Sequence, residues 1–295
     1  MSKITEEAIQ RFLDNGNKRG GDFAANTIWR YRLDLEDFFN FIGKDFTEVS
    51  RRDCEDYKSH LKNNGKNLSK KSIWHRIAAI KSFYRYAIES GDFKGNNPMY
   101  FKIPSKDMKT SQAFIEEQIL SRQEVRNLLN ATKSPRDNAI LTVLYNTGCR
   151  ISELTGLDLD SVNMEKKTMT LNGKTGERTI DFNGDIYQSL KLWILVRGRP
   201  KTDALFTTKF GNRIEQGCVR GMIRKQCKKV GISRRIICHS FRHTMITHAL
   251  EDNVNLVELS KFVGHTDVNT TISYCAIAKL GNTIQTKFQG IHKEE

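Results

Sequence analysis

Four short blocks of this 295-residue chain hold the residue types that phosphate chemistry uses. In Asn146-Thr-Gly-Cys-Arg150-Ile-Ser-Glu-Leu, an arginine follows closely on a glycine able to end a helix. Asn172-Gly-Lys174-Thr-Gly puts a lysine in a turn-like segment. His239-Ser-Phe-Arg242-His243-Thr sets a histidine and an arginine three apart, on one face of a helix. In Val263-Gly-His265-Thr-Asp-Val-Asn-Thr-Thr-Ile-Ser-Tyr274, a histidine follows a glycine and a tyrosine comes nine residues later.

Each type has a task it can perform on a phosphodiester. Arg150 and Arg242 can each offer a planar donor fork to non-bridging oxygens and stabilise the negative charge that builds up in a transition state. His239, His265 and Lys174 can supply hydrogen bonds and move protons near neutral pH. The Tyr274 hydroxyl can attack phosphorus and keep the bond energy in a phosphotyrosyl ester. Such ester exchange requires no cofactor, neither nucleotide nor metal. Taken singly, every one of these residues has a plainer reading as a surface cation, a packed imidazole or a helix-core tyrosine. The ordered set outweighs the single readings.

A metal site is the rival for the histidines, since His239, His243 and His248 with Cys238 have spacings that ligands use. Against it, His-Ser-Phe-Arg-His lacks the glutamate of the zinc-protease pattern, and Arg242 would repel a cation.

The order Arg, Lys, His-x-x-Arg, Gly-His, Tyr resembles that of the tyrosine recombinases, which include phage integrases and Xer proteins. Flanking residues agree too, in Thr147-Gly-x-Arg-Ile-Ser-Glu-Leu and Arg242-His-Thr. The resemblance implies that Arg150 and Arg242 clamp the scissile phosphate and that Lys174 protonates the leaving 5′ oxygen, with Lys166, Lys167 and Arg178 as competitors for that task. It implies further that His239 and His265 bond the phosphate, with His239 also able to take the tyrosine proton. Tyr274 would form a 3′-phosphotyrosyl link, and a tetramer on DNA would exchange strands in two rounds. Two alternatives stay open: a topoisomerase-like nicking and closing activity, and a DNA-binding accessory factor without catalysis. Glu153 is expected to orient basic side chains rather than to react.

These residues need elements to hold them. Asn26 or Thr27 is placed to cap a helix with Ile28, Tyr31, Leu35, Phe38, Phe39 and Ile42 at helical spacing, ending at Gly43. Ser50 with Asp53 forms a capping-box pattern for a second helix. Ser69 is placed to cap a third, whose apolar stripe runs through Ile73, Ile77, Ile80, Tyr84 and Ile88, with Lys71, Lys81 and Arg85 beside it as candidate DNA contacts. Asn96-Asn97-Pro98 then interrupts the pattern, and 99–117 has no clear period. Leu120-Ser121-Arg122-Gln123-Glu124 restarts it with a cap and an apolar residue before it. A helix is expected around Ala139–Asn146, and a hairpin between Thr168 and Phe182 with Lys174 near its tip.

The fold class expected is mainly α with a small β-sheet. A helical core-binding domain over 1–98 and a linker over 99–117 would precede a mixed α/β catalytic domain over 118–295, the two domains enclosing a duplex. Ile277, Leu280, Ile284 and Phe288 suggest a further amphipathic helix in the tail.

Charge points to the partner. The net charge is +14, and Tyr57–Ile88 and Gln216–Leu250 each carry eight Lys or Arg and no acid. Two such stretches favour a polyanion, double-stranded DNA first. The absence of a long apolar run or a signal-peptide pattern gives the expectation of a cytoplasmic, nucleoid-associated protein with no membrane partner. The six scattered cysteines read as reduced thiols. Accessory proteins, the target sequence and the choice between integration, excision and dimer resolution are not encoded in any motif.

Overall fold

Apolar residues at helical spacing organise both halves of the chain. The computed structural model describes residues 1–15, 23–63, 68–102, 112–173, 176–198, 200–275 and 277–278. It divides into two compact units, Met1–Lys109 and Thr110–Glu295.

The first unit contains α1 (Lys3–Asn15), α2 (Ala25–Ile42), α3 (Arg51–Asn63) and α4 (Lys70–Glu89). α1 buries Thr5, Ala8, Ile9, Phe12 and Leu13, one stripe at three- and four-residue intervals. These meet Leu35, Phe38, Phe39, Tyr57, Ile77, Ile80, Phe83 and Tyr84 in a core rich in aromatic rings. Edge-to-face pairs such as Phe38–Tyr57 at 5.0 Å and Phe39–Phe83 at 5.5 Å fix its packing. Ser69 caps α4 by accepting from the Ser72 amide at 3.1 Å, and the Ser50–Asp53 reciprocal cap opens α3. One expectation needs correction. α2 begins at Ala25 after the uncapped Ala24, so neither Asn26 nor Thr27 is its cap.

The second unit begins with α5 (Gln112–Glu116) and α6 (Arg122–Ala131), the latter closed at its start by the Ser121–Glu124 capping box. α7 (Pro135–Thr147) starts earlier than its apolar pattern suggests, with Ser134 accepting from the Asp137 amide and Pro135 in the first turn. Every residue from Ala139 to Leu144 is buried, so α7 is a central helix rather than an amphipathic one. After α8 (Ile151–Gly156), three antiparallel strands follow in the order β1 (Val162–Asn163), β2 (Thr168–Gly173), β3 (Gly176–Asp181). Register pairs Met169 with Ile180 and Leu171 with Arg178. Alternation sends Met169, Leu171 and Ile180 into the core.

α9 (Gly184–Val196), α10 (Gln216–Lys229) and α11 (Cys238–Glu251) complete the main core. α12 (Leu256–Val263) and the short α13 (Val268–Ile272) pack with the end of α11 around Ile246, Leu250, Leu259 and Val263. The architecture is mainly helical with one small sheet. No helix among the described residues is long and apolar enough to cross a membrane. Lys174, expected near the hairpin tip, and the tail residues Leu280, Ile284 and Phe288 lie outside the described residues, as do residues 103–111 of the expected linker.

Candidate active site

The site is assembled where helices stop. Gly148 ends α7 in the left-handed conformation at φ +57°, its amide bonded to the Leu144 carbonyl at 3.1 Å. That turn delivers Arg150 to the start of α8. It also exposes the Gly148 carbonyl, which accepts from Arg242 Nη1 at 2.8 Å. Gly264 ends α12 in the same way at φ +67° and delivers His265. The Gly264 carbonyl accepts from Arg150 Nη2 at 3.1 Å, joining the two turns.

Glu153 stands beneath these cations. Its side chain is fully buried, and it receives Arg150 Nη1 at 2.8 Å and a two-pronged contact from Arg178 at 3.0 and 2.9 Å. Burial alone would raise the pKa of this carboxyl. The hydrogen bonds from Arg178 and Arg150 outweigh burial and hold it below the ordinary glutamate value. Arg178 also donates from Nε to the Phe262 carbonyl at 3.0 Å, which ties β3 to the end of α12. A Cβ on Gly173 would collide with the Glu153 carboxylate, so the end of β2 next to Lys174 can lie close to the acid only as glycine.

Arg242 is the unusual member. It is 1 % exposed, and its Nη2 is buried with no hydrogen-bond partner. An unmet buried donor costs about 1–3 kcal/mol, a penalty that an arriving anion would relieve. Burial, then the nearby Arg150, lowers its pKa to about 10, so it remains charged at neutral pH.

The imidazoles lie beside it. His239 and His243, one turn apart on α11, stand ring to ring at 4.6 Å. Crowding by protein, then the charges of Arg242 and Arg150, lowers the pKa of His239, although part of its ring reaches solvent. His265 bonds Thr271 Oγ1 through Nδ1 at 2.7 Å. Burial, Arg242 and Arg150 hold His265 at about 4.

Tyr274 follows α13, is 4 % exposed, and lies in the small apolar cluster with Ile246, Leu250, Leu259 and Val263. Its hydroxyl is hydrogen-bonded to His243 Nδ1. Burial raises its pKa to about 12, against the pull of Arg242. Arg150, Arg242, His239, His265 and Tyr274 are therefore brought into one constellation by the ends of α7 and α12, the start of α11 and the turn after α13. Of the histidines weighed as metal ligands, His248 is engaged elsewhere: its Nδ1 pairs with the Tyr145 hydroxyl at 3.0 Å.

Residues 118–280 match the Phage integrase family, and residues 9–91 match the Phage integrase, N-terminal SAM-like domain. This chain belongs to the phage integrase family. Its class is that of the tyrosine site-specific recombinases. Tyrosine recombinase XerC of Haemophilus influenzae is 31% identical over 261 residues, covering 85% of this chain and 86% of its own. Tyrosine recombinase XerD of Staphylococcus saprophyticus is 28% identical, covering 95% of each. Among solved structures, the Tn1549 transposon integrase in complex with a circular intermediate DNA superposes with a TM-score of 0.71 at 20% identity, over 92% of this chain and 95% of that one.

Within this member of the family, two contributors escaped the motif reading. His243 is visible as the second histidine of a helical i, i+4 pair, but its tie to Tyr274 spans 31 residues. Arg178 is visible as a competitor of Lys174. Both of its ends are committed to Glu153 and Phe262, so it serves as a strut.

The candidate DNA contacts of the first unit lie on α4. Lys71 and Arg85 are exposed, and Lys81 Nζ sits 4.8 Å over the Tyr100 ring. On α10, Arg220, Arg224 and Lys228 line an open groove with Arg234 and Arg235, a second concentration of positive charge.

Proposed function

We propose that this chain binds double-stranded DNA and cuts and rejoins its strands at specific sites through a 3′-phosphotyrosyl intermediate formed by Tyr274. The observation that carries this reading is the buried, unpartnered Nη2 of Arg242 in the same pocket of charge as Arg150 and the Tyr274 hydroxyl. A non-bridging phosphate oxygen is the ligand that a spare guanidinium donor fits. Arg150 and Arg242 hold the phosphate, and His239 and His265 donate hydrogen bonds to it. Lys174 gives a proton to the leaving 5′ oxygen. The sequence of events is attack by Tyr274, release of a 5′ hydroxyl, and attack by that hydroxyl, or one from a partner duplex, on the phosphotyrosyl ester.

In this reading, 1–98 is the core-binding domain, 99–117 the linker and 118–295 the catalytic domain. Lys71, Lys81 and Arg85 make sequence-independent phosphate contacts. Four copies assemble on two DNA sites in the cytoplasm, at the nucleoid, with accessory proteins where the site demands them. The relatives named tyrosine recombinase support the strand-exchange outcome over nicking and closing alone.

The test is a nicked suicide substrate, from which the short 5′-hydroxyl fragment diffuses away and leaves the adduct trapped. Wild type gives a denaturation-resistant protein–DNA band. Tyr274→Phe binds the same DNA without forming it. A band from the Phe protein would overturn the assignment.

A further inference from the structure

We infer that His243 is the proton acceptor for Tyr274: in cleavage its Nδ1 takes the phenolic proton, and in rejoining it returns that proton. This rests on the proposed nucleophile and assigns the acceptor to a residue the sequence motif does not single out.

The geometry is direct. The Tyr274 hydroxyl and His243 Nδ1 form a hydrogen bond, and the rings stand 5.5 Å apart at 33°. The phenol is otherwise enclosed by aliphatic side chains of α11 and α12. His239, the alternative acceptor, stands perpendicular to the His243 ring at 4.6 Å. His265 is engaged with Thr271. The nucleophile's oxygen therefore touches one imidazole, and that imidazole is His243.

Charge sets the protonation state of that ring. Facing it are His239 and Arg242 from α11, His265 from the turn after α12, and Tyr274 itself. Burial, with His239, Arg242 and His265 adding to it, holds His243 at about 4. At neutral pH the ring is uncharged, so with its own proton on Nε2 the Nδ1 lone pair can accept from the hydroxyl. An anion bound at Arg242 and Arg150 would offset the positive field and ease formation of the imidazolium.

The step balances. The Tyr274 O–H bond breaks and its proton goes to Nδ1, while the oxygen electron pair forms the O–P bond. The P–O5′ bond breaks, and the 5′ oxygen takes a proton from the general acid assigned to Lys174. Rejoining reverses each transfer.

The test uses full-length protein and a suicide substrate carrying a 5′-bridging phosphorothiolate. Its sulfur leaves without a proton, so the rate reports only the nucleophile's side. His243→Asn keeps an acceptor oxygen near the Nδ1 position but cannot take a proton, and His243→Gln is the second variant. Gel shift identifies which of them binds DNA as wild type does. Between pH 6 and 8.5 the wild-type cleavage rate should stay level. The variant should be roughly a hundredfold slower at pH 7, its rate rising about tenfold per pH unit as hydroxide replaces the missing base. An equal loss at every pH, or no loss, would overturn the inference. Tyr274→Phe in the same assay separates the two claims: adduct from that protein would defeat the assignment of the nucleophile itself.

Discussion

Each unit of this protein buries a tyrosine beside a network of arginine and carboxylate, and the two networks are built to opposite effect. In the first unit, Asp34 and Asp37 face Arg30 and Arg76. Arg30 meets Asp34 at 3.1 Å, and Arg76 meets Asp37 at 2.6 Å. The Tyr57 hydroxyl donates to Asp37 at 2.7 Å. Two anions answer two cations. In the second unit a single carboxylate, Glu153, answers Arg150 and Arg178, while Arg242 keeps a buried donor unmet. Its tyrosine is hydrogen-bonded to an imidazole rather than to an acid. A balanced network fixes a fold, and one with a cation in excess waits for an anion.

The tyrosines show the same contrast. Burial and the neighbouring Asp37 both push the Tyr57 pKa up, locking its proton in place. Burial also raises Tyr274, but among the described residues the charge that acts on it is Arg242, which pulls it down. One phenol is held by a carboxylate, and the other lies between a cation and an imidazole.

The largest expected effect sharpens this difference at its base. Glu153→Gln leaves Arg150 and Arg178 without their anion and should cost roughly 3–5 kcal/mol of stability in the second unit. Because the folded-state pKa of Glu153 is depressed, its contribution is full above the ordinary glutamate value and is lost as pH falls through the folded value. Denaturant unfolding of wild type and variant should therefore diverge at pH 7 and converge in acid. A constant gap would show that the carboxylate charge is not what matters.

Next is Arg242→Lys, which keeps the charge and loses the fork. Cleavage should fall roughly 10²–10³-fold, the cost of one preorganised donor, with DNA binding retained in gel shift. Substantial activity in the lysine protein would mean that the unmet Nη2 has no part in the reaction.

Tyr57→Phe is the matching change in the balanced network. It should lower stability by about 1.5 kcal/mol, the value of a hydrogen bond to a charged group, and leave the cleavage rate unchanged. If it slowed cleavage as Tyr274→Phe does, the two networks would not be functionally distinct.

The smallest effect belongs to the candidate DNA-contacting cations of α4. Replacing Lys71, Lys81 or Arg85 singly with Gln should flatten the salt dependence of binding by about one unit of slope, alike on cognate and random DNA. Unchanged slopes in all three variants would remove that helix face from the DNA contacts.

Much of this was legible in the sequence because it is local. Caps at Ser50, Ser69 and Ser121, the glycine stops at 43, 148 and 264, and the Met169–Ile180 hairpin follow from neighbours a few residues apart. The same locality misleads at α2, where Asn26 and Thr27 look like caps but the helix starts without one. α1 went unread although it carries a plain apolar stripe and a cap, the Ser2 Oγ accepting from the Thr5 amide at 3.2 Å. The motif blocks name Arg150, Arg242, His239, His265 and Tyr274. They do not show that Arg178 is spent on Glu153, or that Tyr274 meets His243, because those contacts join segments 25 and 31 residues apart. Surplus charge is likewise a property of the folded site: the composition records +14 for the whole chain, and only burial shows which cation lacks a partner.

The central claim is that Tyr274, the buried tyrosine of the second unit, is the group that joins DNA. Trapping wild-type protein on the nicked substrate, digesting the adduct with protease and sequencing the nucleotide-bearing peptide by mass spectrometry tests it most directly. The account predicts a single modified residue, Tyr274, esterified to a 3′ phosphate. A nucleotide on any other side chain, or a 5′ linkage to Tyr274, would contradict it.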